Sequence, residues 1–116
     1  MYVSHISKVQ KELVETAEKV WIQWLITDQE GARNFVMRLF TVEPGGNIPE
    51  HQHPWEHEIF VLKGKGVIGT PDREVVVSEG NFVYIEPNVL HWYRNIGNTE
   101  WKFVCVIPLE LKEIEK

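Results

Sequence analysis

The stretch HQHPWEHE, running from His51 to Glu58, puts three of the chain's five histidines and two glutamates into eight residues. His51 and His53 are two apart. On an extended chain such side chains project from one face, so two imidazoles there can reach one metal ion. Pro54, Trp55 and Glu56 interrupt the run and can turn the chain back before His57. His91 lies far along, at the start of a second strand-like segment, HWYRNI. A distant imidazole that ties a separate strand to a local cluster is the pattern of a strand-built metal site, and imidazole is the commonest protein ligand for metals. The fifth histidine, His5, sits alone in the N-terminal arm and reads as an ordinary polar group. Glu58 competes with His57 for the third position. Alternation does not separate them, because Ile59 and Val61 accompany His57 while Phe60 and Leu62 accompany Glu58.

Strands must position these residues. VWIQWLIT (20–27), NFVMRLFTV (34–42), EIFVLKGKGVIGT, EVVVSEG, NFVYIEP, HWYRNI and WKFVCVIP are rich in β-branched and aromatic residues, and EPGG, PDRE and GNTE punctuate them as turns. Many short strands at this spacing predict an all-β sandwich or barrel. The arm before Val20 is ambiguous. Val9, Leu13, Ala17 and Val20 fall at helical spacing with a capping-box pattern from Ser7 to Gln10, but the same residues also suit extended edge chain.

The totals bound the rest. At 116 residues the chain is expected to form a single domain, with a core at about 20–108, an N-terminal arm at 1–19 and a charged tail at 109–116. A net charge of −5 and the lack of a basic run argue against nucleic acid as a partner. No apolar run approaches the roughly 18 residues that cross a bilayer. The lone Cys105 has no intrachain partner, which fits a cytoplasmic location.

Two spacings go further. Gly45, His51, His53, His57 and Gly64 reproduce the frame of the first cupin motif, with histidine where glutamate is usual. Gly80, His91 and Asn95 fall in register with the second motif. There Glu86 takes the proline place, with Pro87 shifted by one, and Asn88 takes the glycine place. Asn tolerates a left-handed turn better than most residues. The chain thus resembles the cupin superfamily, whose fold is a double-stranded β-helix, the jelly-roll barrel. NFVMRLFTVEPGG and HPWEHEIFVLKGK look especially like the small four-histidine, manganese-binding cupins of thermophiles. That resemblance implies His51, His53, His57 and His91 as metal ligands and Mn²⁺ as the cofactor, with Fe²⁺, Cu²⁺, Ni²⁺, Co²⁺ and Zn²⁺ as alternatives. It also implies a homodimer, for which Trp21 and Trp92 are candidate interface residues.

Strand parity sketches a substrate pocket. With His91 inward, Tyr93 is inward too, and Trp101, Phe103, Cys105 and Ile107 share one face of the last strand. Arg38 interrupts the apolar FVMRLF: inward it can anchor a substrate carboxylate, and outward it can pair with an acidic residue on a neighbouring strand or subunit. Three functions compete. The first is a metal-dependent, dioxygenase-like oxidoreductase that uses O₂ or peroxide on a small molecule in the barrel. The second is a non-redox metal-dependent isomerase. The third is a small-molecule binding or sensing module without turnover.

Overall fold

The structure, a computed structural model, describes residues 1–109. Nine strands are found among them: β1 (Glu12–Leu13), β2 (Glu18–Ile26), β3 (Phe35–His51), β4 (His57–Lys63), β5 (Lys65–Thr70), β6 (Arg73–Ser78), β7 (Phe82–Ile85), β8 (His91–Arg94) and β9 (Trp101–Pro108). The all-β expectation holds. Two short 3₁₀ turns, Ile6–Lys8 and Asp28–Glu30, are the helical pieces among the described residues, and none is long and apolar enough to cross a membrane. The expected charged tail falls at residues 110–116, outside the described residues, apart from Leu109, whose N–H donates to the Asn34 carbonyl at 3.0 Å.

The organising element is β3. Its first half pairs with β2 on one side and β9 on the other, from Val36↔Ile107 to Val42↔Trp101. Its second half instead pairs with β8, through Asn47↔Arg94, Ile48↔Tyr93 and His51↔His91. One strand therefore passes from one wall of a curled sheet into the other. The first wall continues β9–β4–β7, and the second continues β8–β5–β6. Both walls alternate. In β9, Trp101, Phe103, Cys105 and Ile107 are buried, while the residues between them are half-buried. The space between the walls is filled by aromatic packing, with Phe103 stacked on Tyr93 at 5.4 Å and against Trp101 at 4.9 Å.

The motif positions act as corners. Gly64 joins β4 to β5 at φ +73, and a Cβ there would lie 2.2 Å from the Glu100 carbonyl oxygen, so only glycine fits. Asn88 does adopt the left-handed conformation, at φ 66, and its N–H donates to the His53 carbonyl at 2.6 Å. Asn95 is buried. Its amide donates to the Val42 and Thr99 carbonyls and its oxygen accepts from the Gly97 N–H, which ties β3, β8 and the turn before β9 together.

Beyond the 3₁₀ turn at Ile6–Lys8, the N-terminal arm is extended and forms no α-helix. The Gln23 side chain donates to the Ile6 and Val9 carbonyls, at 2.9 Å each, and pins the arm across β2. β1 then pairs along β2 through Leu13↔Trp21. Tertiary pairing outweighs the helical spacing of the apolar residues.

Candidate functional site

The backbone brings the four sequence-predicted histidines together. His51 ends β3, His91 begins β8, and the two are register partners. His57 begins β4, and His53 lies in the connection between β3 and β4. The ring centroids of His51 and His91 are 4.3 Å apart, those of His51 and His53 5.0 Å, those of His57 and His91 5.0 Å, and those of His53 and His57 5.6 Å. The structure also separates His57 from Glu58. His57 is buried at 3% exposure and faces the cluster, whereas Glu58 is exposed on the opposite face of β4.

Each ring is oriented by a neighbour. His51 and His91 donate Nδ1–H to the carbonyls of Pro49 and Val89, both at 2.8 Å. A carbonyl oxygen only accepts, so the proton sits on Nδ1 and the lone pair on Nε2. The His53 ring lies flat on Trp55, with centroids 4.3 Å apart and planes within 5°. Trp55 is itself buried, and sequence reasoning passed over it as part of a break.

All three inner imidazoles are held neutral. Burial lowers the His57 pKa to about 3, helped by repulsion from His91 and Arg38. Burial lowers His53 to about 4, with His51 and His91 adding to the effect. His91 is also lowered to about 4 by burial, against the opposing pull of the Val89 carbonyl. Neutral imidazole is the form that ligates metals.

The donor set fits a metal ion. His91 Nε2 and His57 Nδ1 are buried polar atoms without a hydrogen-bond partner. Buried nitrogens are rarely left so unless something else satisfies them. As the side chains stand, no group of three or more His, Cys, Asp or Glu among the described residues already forms a metal-holding set. The approach of the rings is set by strand register, whereas their closure depends on side-chain torsions. The outer torsion of histidine turns broadly at small cost, so the register is the more telling of the two observations.

His51, His53 and His57 line a cavity of about 900 Å³, and His91 lies buried behind them. Of the residues expected in the pocket, Arg38, Tyr93, Phe103 and Cys105 line it. Ile107 does not: it shares the parity of Cys105 but lies further along β9, buried in the core opposite Val36. Parity selects a face of a strand, not a position along it. Arg38 points inward and is 4% exposed. Its Nη2 donates to Cys105 Sγ at 3.1 Å, and its guanidinium lies 5.1 Å from the Phe40 ring and 5.8 Å from that of Trp24.

Several lining residues went unread in the sequence. Phe40 is two residues from Arg38 on the same face, and parity would have found it. Trp24 follows from the Trp24↔Arg38 pairing, which only the fold reveals. The mouth is formed by the 12–16 segment, with Gln29 and Glu30 from the second 3₁₀ turn. Glu12, Glu15, Glu30 and Glu50 make this rim acidic, and Arg38 is the one Lys or Arg among the described residues lining the cavity. The candidate interface tryptophans are engaged within the chain. Trp21 Nε1 donates to Glu43 at 2.7 Å under Lys11, and Trp92 Nε1 donates to Glu74 at 2.9 Å.

Comparison with known proteins agrees with this architecture. A family model described as a cupin domain matches residues 38–107, from Arg38 to the end of the barrel. An oxalate-binding protein of Thermotoga maritima is 33% identical over 76 residues, a stretch covering 62% of this chain and 63% of that protein, so the match spans less than two thirds of the relative's length. The structure of the polyketide cyclase RemF from Streptomyces resistomycificus superposes with a TM-score of 0.89 at 33% identity, covering 94% of this chain and 80% of that one. A predicted oxalate decarboxylase of Thermotoga maritima superposes with a TM-score of 0.81 at 23% identity, over 93% of this chain and 99% of that one, which is a likeness of fold. With both motifs in place on the barrel and more than half of the chain matched, the protein belongs to the cupin superfamily and has its all-β fold.

Proposed function

We propose that this cupin is a metal-dependent, dioxygenase-like oxidoreductase acting on a small, flat, apolar-bodied molecule that carries an oxygen donor. The observation that carries this reading is the convergence of four imidazoles, two with buried unpartnered nitrogens, three of which (His51, His53 and His57) line an aromatic cavity. His51, His53, His57 and His91 would hold the ion, with Mn²⁺ first among the candidates and Fe²⁺, Cu²⁺, Ni²⁺, Co²⁺ and Zn²⁺ behind it. A divalent transition metal there supplies Lewis acidity and, where it is redox-active, electron exchange with O₂ or peroxide.

The chain's own residues do the positioning. The carbonyls of Pro49 and Val89 fix the tautomers of His51 and His91. Imidazole ligands bring no negative charge to a bound cation, so the site favours an oxygen-donor ligand. Trp24 and Phe40 line the cavity with aromatic surface suited to an apolar body, backed by Phe103 stacked beneath Phe40, and Arg38 presents a guanidinium to a ligand oxygen. The four rim glutamates repel highly charged anions, which disfavours a sugar-phosphate isomerase.

A cyclase acting on a polyketide chain is the second reading. It is supported by the 33% identity to a polyketide cyclase across nearly the whole fold. It shares the aromatic cavity and differs in consuming no oxidant.

The test is metal analysis of protein purified from its native source, followed by O₂ and peroxide consumption assays with phenolic and short acidic substrates. About one manganese, iron or copper per chain with metal-dependent oxidant consumption supports the oxidoreductase. Product formation without oxidant consumption supports the cyclase. Ligand binding with no product supports the sensing module.

A further inference from the structure

His53 is the one member of the histidine cluster that no strand carries. It lies in the connection 52–56 between β3 and β4, where strand register does not aim its ring. Within that connection Trp55 alone is buried, at 3% exposure, and it belongs to the core cluster with Ile59 and Ile85. The connection is thus pinned to the barrel by one side chain, and the His53 ring rests on that side chain. The two rings are 4.3 Å apart with planes within 5°. Pro54, between them, disfavours a helical backbone at His53. The His53 carbonyl accepts from the Asn88 N–H at 2.6 Å, at the left-handed corner before β8. Backbone and ring are therefore held by different parts of the fold.

The form of the ring contact matters. A stack takes up a face of the imidazole, whereas the nitrogens lie at the edge of the ring plane. Trp55 restrains the ring without using a nitrogen, and the outer torsion of histidine is otherwise soft. Trp55 Nε1 is buried without a hydrogen-bond partner. An all-carbon side chain would avoid that cost, so what the indole contributes here is its face. That face is the negative side of the ring, and among aromatic side chains indole attracts cations best. A neutral imidazole gains little from it. An imidazole that ligates a cation has lost electron density to the ion and gains more. The stack is therefore stronger with the site loaded than without.

We propose that Trp55 is a positioning residue of the metal site, whose indole face orients the His53 ring toward a shared ion and favours that ring once it is a ligand. The inference rests on the reading of the four histidines as a metal site and names the residue that tunes it.

Co²⁺ titrated into chelator-treated protein, followed by its visible absorption, tests this. Trp55→Leu is expected to bind Co²⁺ about tenfold more weakly and with an altered band, the lower end of the range for groups that orient metal ligands. Trp55→Phe keeps an aromatic face and is expected to stay within about threefold of wild type. Circular dichroism checks that each variant folds. The decisive comparison is with His53→Ala, whose remaining histidines take up Co²⁺ at higher concentration. Adding Trp55→Leu to His53→Ala is expected to cost nothing further, because Trp55 acts through His53. An equal loss in both backgrounds would assign Trp55 to packing alone and overturn the proposal. So would unchanged Co²⁺ affinity and absorption in Trp55→Leu beside a wild type that binds. A wild type that takes up no Co²⁺ instead sinks the metal reading, and the proposal with it. Proton NMR of the metal-free wild type needs no change at Trp55. The His53 ring protons, identified by their loss in His53→Ala, are expected upfield of the free-imidazole position because they lie over the indole. A free-imidazole position would show the ring unstacked and reject the proposal even where Trp55→Leu does not fold.

Discussion

His51 and His91 face each other across the β3–β8 ladder with their rings 4.3 Å apart, and each is locked by the same local device. Each donates Nδ1–H to the carbonyl two residues before it, Pro49 in one strand and Val89 in the other. Two segments forty residues apart in sequence thus prepare an Nε2 lone pair in the same way. In His91 that Nε2 is buried and without a hydrogen-bond partner. A nitrogen in that state is costly to the fold, on the order of 1–3 kcal/mol, unless a ligand engages it.

The first prediction concerns the ligand set. His57→Ala and His91→Ala are each expected to lower metal content, measured by mass spectrometry on purified protein, to below about a tenth of the wild-type value. Glu58→Ala is expected to retain it, because Glu58 is exposed on the far side of β4. Full retention in His57→Ala with loss in Glu58→Ala would reverse the assignment.

The pH dependence of the metal-free protein follows from the same burial. His57 and His91 titrate at about 3 and about 4 in the folded chain, against 6.5 when unfolded. Between these values the unfolded chain binds protons that the folded chain refuses. Stability is therefore fully present above about pH 7, falls as the pH drops through 6.5 toward 4, and levels off below about 3. Each pKa difference of one unit is worth about 1.4 kcal/mol, so the fall amounts to several kcal/mol for the pair. Urea midpoints of chelator-treated protein between pH 7 and pH 4 check this. A flat profile would show that the imidazoles are protonated freely in the folded state.

What the sequence reveals of this site depends on where the information resides. Spacing pointed to a histidine cluster, and the resemblance to the cupin motifs singled out the four histidines that the backbone brings together, because a motif fixes both register and corner positions such as Gly64 and Asn88. Parity was silent on His57 against Glu58, because both phases of HEIFVLK are apolar. The reason is now visible: Phe60 and Leu62 are apolar for an outward surface, not for the core. The arm stayed ambiguous between helix and extended edge chain, since the forces that decide it, the Gln23 bonds to Ile6 and Val9 and the β1–β2 pairing, are long-range. The cavity mouth was invisible because its residues come from separate segments, among them 12–16 and the second 3₁₀ turn, that only the curled sheet brings together.

Two glycines in β5 make a third test. A Cβ at Gly66 would lie 2.3 Å from the Trp101 ring, and one at Gly69 would lie 2.2 Å from the Trp92 ring. The clashes are alike but the neighbours are not. Trp101 is 0% exposed and wedged against Phe103, whereas Trp92 is half-buried at the surface with room to shift. Gly66→Ala is expected to cost about 3 kcal/mol, the upper end for overpacking, and Gly69→Ala about 1 kcal/mol. Equal losses in chemical denaturation would mean that the Trp101 side of the barrel relaxes as readily as the surface.

Asn95 provides the last prediction. It is 4% exposed and makes three hydrogen bonds, to the Val42 and Thr99 carbonyls and from the Gly97 N–H. Asn95→Ala removes one side chain yet strands three backbone groups, so the cost exceeds that of a single bond and reaches about 3 kcal/mol. Asn95→Asp keeps the oxygen for Gly97 but turns the donor toward two carbonyls into an acceptor, and a buried charge there is repelled by both. It is therefore expected to be worse than alanine above the carboxylate pKa and to recover as the acid protonates. Denaturation midpoints of the two variants at neutral and mildly acidic pH read this out. If Asp matches Ala at every pH, the two donated bonds do not hold β3 to the turn before β9, and the role of Asn95 reduces to shaping the Gly97 turn.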